Sequence, residues 1–131
     1  MRPSARAFVI QEHQVSPGDL HYDLMIAAGE VLVTFQLDAA PRAEGVAGRR
    51  SFDHRRRYLD YEGPISRGRG AVRIWDRGQV EDLEGDPREA RYRLRFLGER
   101  LRGEWSLCEQ AGAPSASADP GVAVRLQREA P

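Results

Sequence analysis

Two histidines and an aspartate lie close together near the start of the chain, in a pattern that could hold one divalent metal ion. His21 and Asp23 belong to a run in which they alternate with Tyr22 and further apolar residues, the period-2 pattern of a half-buried strand. If the apolar residues face a core, His21 and Asp23 share the opposite face, with Cα atoms about 7 Å apart. A turn at 16–19 can fold His13, which ends the preceding apolar run, back beside them. The three side chains are therefore predicted to converge.

The types of these side chains indicate which ion they could bind. Two imidazoles and one carboxylate fill three positions of an octahedral ion and leave others open for water and substrate oxygens. This donor set suits Mn²⁺ or another transition metal better than a closed structural zinc site. The alternative that these histidines bind no metal remains open, because three histidines in a small domain often lie at the surface or in satisfied hydrogen bonds.

A second group of candidate residues surrounds the third and last histidine. His54 stands four residues before Tyr58, and Arg55, Arg56 and Arg57 lie between them. A histidine beside arginines can bind a phosphate or protonate a leaving oxygen, and guanidinium groups match phosphate geometry. The arginine run could equally be a solvated edge, and the tyrosine a packing residue. We expect this group to form a second wall of the same site.

The bulk composition limits the possible classes of protein. A chain of 131 residues is long enough for one domain with a sizeable core. Its 20 basic and 20 acidic residues cancel, so global charge gives no support to tight nucleic-acid binding. The lone cysteine, Cys108, fits a reducing compartment, and the apolar run at 7–10 is too short for a secretory or membrane segment. We expect a soluble, cytoplasmic protein.

The pattern along the chain predicts an all-β fold. No stretch keeps a 3.6-residue apolar period for ten residues behind a capping residue, so little helix is expected. Short alternating runs separated by turn residues indicate a compact antiparallel barrel or sandwich. The predicted strands are 6–13, 21–27, 30–37, 58–62, 71–76, 79–83, 90–97, 100–108 and 121–128.

Turns and loops are marked by their composition. The residues at 98–100 predict a hairpin between the two most regular strands, and Ala28 and Gly29 predict another tight turn. The segments 38–50 and 110–120 lack alternation and are predicted to be long loops. The Arg-Gly-Arg-Gly segment at 67–70 has no surrounding phosphate-binding fingerprint and is interpreted as a turn.

Several ordered motifs together resemble a known family. They are FVIQEH at 8–13, LHYDL at 20–24, DH at 53–54 followed by Tyr58, DYEG at 60–63, IWDRG at 74–78 and GERLRGEW at 98–105. This order is similar to the 3′-phosphoesterase domain found at the N-terminus of bacterial ATP-dependent DNA ligase D, and most of all to its stand-alone members. The likeness covers about residues 6–108, and so many motifs in order are far more specific than any one of them.

The resemblance implies a compact β-barrel with its site in a groove on one face. It also implies a manganese-dependent activity that removes 3′ phosphates and trims 3′ ribonucleotides at broken DNA ends, in repair by end joining. By motif match, His13, His21 and Asp23 would be the metal ligands, and His54 and Tyr58 would surround the phosphate. The implied partners are DNA or RNA 3′ ends, with a separate ligase or polymerase of the pathway.

Three departures from the family pattern bear on activity. Where ligase-attached members carry a phosphate-contacting arginine two residues beyond the aspartate, this chain has Met25. The spacing between the two metal-site histidines is longer, and the glycine-rich segment at 67–70 is shorter. Two alternatives therefore stay open: a nucleic-acid-end binding module with weak or no turnover, and a metal-dependent phosphatase acting on another phosphoester.

Overall fold

The computed structural model describes residues 5–110 and 120–130. Within these residues the chain forms ten strands and one short 3₁₀-helix at Arg56–Asp60. The strands are β1 Ala5–Ser16, β2 Asp19–Ala28, β3 Val31–Leu37, β4 Val46–Arg50, β5 His54–Arg55, β6 Gly63–Pro64, β7 Ala71–Glu84, β8 Arg91–Gly98, β9 Arg102–Glu109 and β10 Ala123–Arg128. None of the described residues forms a helix long and apolar enough to cross a membrane.

Eight of these strands close into an antiparallel barrel. Their order around the wall is β1, β2, β3, β4, β10, β9, β8 and β7, and β7 pairs back with β1 along most of its length. The two-residue strands β5 and β6 lie outside this ring, where β5 pairs with β3 and β6 with β7. The predicted all-β barrel with little helix is confirmed.

Alternation divides β1 and β2 between the two faces of the barrel wall. Phe8 and Ile10 of β1 point inward with Leu24 and Ile26 of β2, and join the main core, where Phe96 packs edge-on against Phe8. All five of these side chains are at most 1% exposed. The intervening residues of both strands must therefore face outward, away from the barrel interior.

The outer face of β1 and β2 is covered by a second, smaller apolar layer. Val9, Met25, Ala27 and Leu32 form this outer cluster, and Tyr58 and Leu59 of the 3₁₀-helix pack against it together with Ala7 and Ile74. The 3₁₀-helix belongs to residues 51–62, here called the covering segment. Because this segment lies on the wall outside the barrel, it creates a groove between itself and the ends of β1 and β2.

The IWDRG motif organises the turn between β8 and β9. Asp76 is 1% exposed, and its carboxylate accepts hydrogen bonds from four backbone N–H groups, those of Arg77, Glu99, Arg100 and Leu101. Three of these donors belong to the closed end of the hairpin, where the carboxylate gives the chain an acceptor for its backbone N–H groups. Gly98 must lack a side chain there, because a Cβ atom would lie 2.5 Å from the Asp76 Oδ2 atom. The hairpin predicted at 98–100 is confirmed.

Three sequence expectations about individual elements were wrong. The strand predicted at 58–62 overlaps the 3₁₀-helix Arg56–Asp60 instead. The predicted long loop at 38–50 contains β4, and the strands predicted at 71–76 and 79–83 are one continuous strand, β7. Most of the loop predicted at 110–120 lies outside the described residues.

Candidate metal centre and its groove

The hairpin of β1 and β2 brings the predicted metal ligands together. Its register places His13 directly opposite His21 and Gln11 opposite Asp23. The Nδ1 atom of His13 lies 3.4 Å from one Asp23 carboxylate oxygen, and the Nε2 atom of His21 lies 3.2 Å from the other. One ligand atom from each of the three residues lies within 4.8 Å of the others. The turn expected at 16–19 is confirmed as the connection that produces this register.

The three side chains also influence one another's charge. Burial alone would raise the pKa of Asp23, but hydrogen bonds from His13 and His21 outweigh it and leave that pKa below its ordinary value. The hydrogen bond to Asp23 raises the pKa of His13 against the opposing effect of burial, and the Arg69 carbonyl adds to the increase. Asp23 is therefore held as a carboxylate although it is only 7% exposed.

The second ring nitrogen of His13 bonds to the backbone. Its Nε2 atom lies 2.8 Å from the carbonyl oxygen of Arg69. Because a carbonyl oxygen can only accept, Nε2 carries a proton and Nδ1 is the nitrogen directed at Asp23. A metal-binding histidine characteristically donates its other N–H to a carbonyl or carboxylate in this way. The donor set and this backbone contact together fit a divalent transition metal with open coordination positions.

The Arg69 carbonyl is positioned by a tight turn that the glycine residues permit. Arg67 and Gly68 both have positive φ angles, of 64° and 66°, and the turn is closed by a hydrogen bond from the Ile65 N–H to the Gly70 carbonyl. Gly70 passes so close to β1 that a Cβ atom would lie 1.9 Å from the Gln14 carbonyl oxygen. The interpretation of 67–70 as a turn is confirmed, whereas its contact with His13 was not foreseen.

The metal-site residues line one wall of an open groove of about 500 Å³. The opposite wall is the covering segment, and the turn at 67–70 closes one side. The lining residues are Gln11, His13, His21, Asp23, Met25, Gln36, Ser51, Phe52, Asp53, His54, Arg55, Tyr58, Ile65, Arg69 and Val72. A larger hollow of about 640 Å³ on another part of the surface contains none of the histidines.

Gln11 attaches the covering segment to the barrel wall. Its side chain is 1% exposed, and its amide NH₂ donates to the carbonyl oxygens of Tyr58 and Tyr61, at 2.9 and 3.1 Å. Both bonds lie on the face of β1 that carries His13, two residues further along the same strand. Sequence reasoning missed this role, although alternation with the inward-facing Ile10 is a signal that could have placed Gln11 on the outer face.

His54 and Tyr58 lie together in the covering segment and both line the groove. The ring of Tyr58 meets the imidazole of His54 edge-on, with centroids 5.9 Å apart. The Nδ1 atom of His54 lies 3.0 Å from the Phe52 carbonyl oxygen and therefore donates to it. Nε2 is consequently the His54 nitrogen available for proton exchange. The structure thus brings this predicted pair to the same groove as the metal-site residues.

The three predicted arginines have different surroundings. Arg55 lines the groove. Arg56 donates to the Gly29 carbonyl at 3.0 Å, and the Arg57 guanidinium lies over the Tyr58 ring, 5.1 Å from its centroid. Arg69, which sequence reasoning did not select, also lines the groove, and its guanidinium donates to the carbonyl and hydroxyl oxygens of Ser66 at 2.9 and 3.3 Å.

Met25 shares a strand face with His21 and Asp23, as expected, and is packed in place. It is 1% exposed and belongs to the outer cluster beneath the covering segment. The groove therefore has an apolar patch at the position where the family pattern has an arginine. A thioether cannot donate a hydrogen bond to phosphate.

One known protein family matches most of this chain. Residues 11–109 match the family model described as the DNA Ligase D 3′-phosphoesterase domain. A search of curated proteins found no match. The matched region covers well over half of the chain and contains every residue of the metal centre, His54 and Tyr58. The chain therefore belongs to the DNA ligase D 3′-phosphoesterase domain family.

Proposed function

We propose that this protein is a manganese-dependent phosphoesterase that processes 3′ ends, removing 3′ phosphates and 3′ ribonucleotides during DNA repair by end joining. The observation that carries the proposal is the convergence of three metal-type ligand atoms within 4.8 Å, in a groove that also contains His54 and two arginines. Membership of the 3′-phosphoesterase domain family supplies the substrate class.

His13, His21 and Asp23 would hold the metal, through Nδ1, Nε2 and a carboxylate oxygen respectively. A bound Mn²⁺ would supply Lewis-acid polarisation of a phosphoryl oxygen and a lowered pKa for bound water. The Arg69 carbonyl holds the His13 ring in the orientation that this requires, because it fixes the proton on Nε2.

The remaining groove residues act on the phosphate itself. His54 protonates the leaving oxygen or stabilises developing charge through Nε2, since its Nδ1 is committed to the Phe52 carbonyl. Tyr58 donates its hydroxyl to a non-bridging oxygen. Arg55 and Arg69 contact the phosphate from the groove walls, whereas Arg56 and Arg57 contribute positive charge for the strand backbone outside the groove.

One observation favours a second candidate function. The buried Met25 leaves the groove without a cation at the strand position next to the metal centre. A charged hydrogen bond to a transition state is worth roughly 2–4 kcal/mol, or about two to three decades in rate. The protein could then be an end-binding module with weak turnover.

The proposal includes a cellular setting. The single cysteine, Cys108, forms no disulfide, which fits the reducing cytoplasm. The substrates would be DNA or RNA 3′ ends, and a separate ligase or polymerase would act on the processed ends.

A direct assay separates the candidates. The purified full chain is loaded with Mn²⁺ and given DNA with a 3′ phosphate, DNA with a 3′ ribonucleotide, and p-nitrophenyl phosphate. The proposal predicts turnover of the two nucleic acids, and loss of that turnover in His54→Ala with Mn²⁺ binding retained. Tight binding of the nucleic acids without turnover supports the binding module. Turnover of p-nitrophenyl phosphate alone would indicate a phosphatase of another class.

A further inference from the structure

Phe52 is an exposed aromatic residue inside the groove. Among residues 5–110 and 120–130, Phe52 is the most exposed large hydrophobic side chain at 65%, followed by Leu97 at 42% and Leu20 at 39%. A single exposed apolar residue needs no explanation by itself. Phe52 differs from the two leucines because it lines the same groove as the metal-site residues.

The Phe52 ring is held in a defined orientation. It is parallel to the His54 imidazole within 1°, with ring centroids 5.4 Å apart. Its carbonyl oxygen accepts the His54 Nδ1–H, and the N–H of the preceding Ser51 donates to the Thr34 carbonyl at 2.9 Å. The following Asp53 forms an ion pair with Arg88 at 2.8 Å. The backbone around Phe52 is therefore anchored on both sides, and its flat apolar ring faces solvent beside the His54 imidazole.

A nucleobase is the ligand whose chemistry fits this ring. Its neighbours in the groove, Arg55, Arg69 and the candidate metal centre, are groups that attract phosphate, and a nucleotide joins a phosphate to a flat π system. Stacking on an exposed aromatic ring is the common way in which single-stranded nucleic acid is held without sequence preference. A hydrophobic peptide side chain would leave the adjacent arginines without a complementary charge.

We propose that Phe52 stacks on the base of the nucleotide at the 3′ end, and so selects ends that carry a terminal base. This inference rests on the proposed function, because it deepens the substrate class of the same groove. It predicts that all four bases are accepted, because each has a π face and no hydrogen-bond readout is involved.

The experiment measures binding and turnover on two matched oligonucleotides, with the Mn²⁺-loaded full chain. One oligonucleotide carries its 3′ phosphate on a normal nucleotide, and the other on a terminal tetrahydrofuran unit that lacks the base. Fluorescence anisotropy gives Kd, and phosphate release gives kcat and KM. The variants are Phe52→Ala, Phe52→Trp and the control Leu97→Ala, each checked for folding by its thermal melting.

We expect Phe52→Ala to raise Kd and KM for the normal end by about tenfold and to leave kcat within about twofold. The abasic end should bind wild type and Phe52→Ala equally, and Phe52→Trp should bind the normal end at least as tightly as wild type. Leu97→Ala should resemble wild type on both oligonucleotides.

Three results would overturn the inference in distinguishable ways. Equal Kd values of wild type and Phe52→Ala for the normal end would overturn the stacking alone. An equal fall in kcat on both oligonucleotides would show that the ring only positions His54. Failure of the wild type to bind either oligonucleotide would overturn the proposed function, and this inference with it.

Discussion

His13 and His21 lie directly opposite each other across the β1–β2 hairpin, with ring centroids 4.6 Å apart. This pairing joins the ends of two neighbouring strands, and Asp23 follows two residues later on the same face. A single hairpin register therefore sets the positions of all three predicted ligands. A shift of one residue would move a strand's whole set of side chains to the other face. The buried core residues of these strands therefore fix the register that keeps the three ligands together.

Removal of one ligand should abolish tight metal binding without affecting the barrel. We expect His21→Ala to weaken Mn²⁺ binding by more than about 100-fold, because even the loss of a supporting contact to a ligand costs 10–100-fold. His54→Ala is the matched control, since His54 lies in the groove outside the ligand cluster. Isothermal titration calorimetry checks both variants. Equal affinity in wild type and His21→Ala would refute the assignment.

A cation introduced at the apolar patch should destabilise the protein. Met25→Arg would place a guanidinium where the methionine is 1% exposed among Val9, Ala27 and Leu32. We expect the free energy of unfolding to fall by roughly 2–4 kcal/mol with no gain in turnover, whereas Met25→Leu should cost less than about 1.5 kcal/mol. Urea denaturation and phosphate release measure the two effects. A stable Met25→Arg variant with faster turnover would show that the groove still accommodates an arginine.

The side chain of Arg69 should act separately from its backbone. Arg69→Ala keeps the carbonyl that bonds to His13, so Mn²⁺ affinity should not change. We expect KM for a 3′-phosphate end to rise about tenfold and the salt dependence of binding to fall by roughly one phosphate contact. Arg73→Ala provides the control, because Arg73 pairs with Glu12 at an exposed site outside the groove. If both variants behaved alike in a salt titration, Arg69 would have no specific role.

The buried carboxylate of Asp76 should matter for stability alone. Asp76→Ala would leave four backbone N–H groups without their acceptor, and we expect a loss of about 2–4 kcal/mol in the free energy of unfolding. Asp76→Asn should lose less, because one amide oxygen can still serve the three N–H groups that share Oδ1. The two variants are compared by urea denaturation. An Asp76→Asn variant as unstable as Asp76→Ala would contradict this explanation.

The architecture could be predicted because the alternation of apolar and polar residues is visible within the sequence of each strand. Strands such as β8 and β9 show it without interruption, and their hairpin followed from the sequence. β4 escaped prediction because Gly48 interrupts it, and glycine is disfavoured in strands. That glycine is required by packing, since a Cβ atom there would lie 2.4 Å from the Gln36 carbonyl oxygen. The close approach is tertiary and leaves no local trace.

Arg50 shows a further limit of local signals. It is 3% exposed and pairs with Glu109, 59 positions away in the chain. Its guanidinium also donates to the carbonyl oxygens of Pro87 and Glu89. A buried arginine can be recognised only when its distant partners are known.

The candidate site was predictable where side-chain type revealed the chemistry. His13, His21 and Asp23 were chosen from their types and spacing, and the structure brings them together. The contributions of Arg69 and Gln11 were missed, because one acts through a backbone carbonyl and the other through bonds to backbone carbonyls. Where a backbone carbonyl lies depends on the path of the folded chain, and the local sequence does not reveal that path. Phe52 was missed because it belongs to no alternating run of apolar residues, so the sequence pattern does not indicate which way its side chain faces.

The division of β1 and β2 into inward and outward residues has an evolutionary consequence. Substitutions at the outward positions alter the chemistry of the groove, whereas the inward positions maintain the barrel that supports it. A lineage can therefore change substrate, metal or rate by single replacements on one face while the hydrophobic core on the other face is inherited unchanged. The scaffold can thus outlast any one activity built on it.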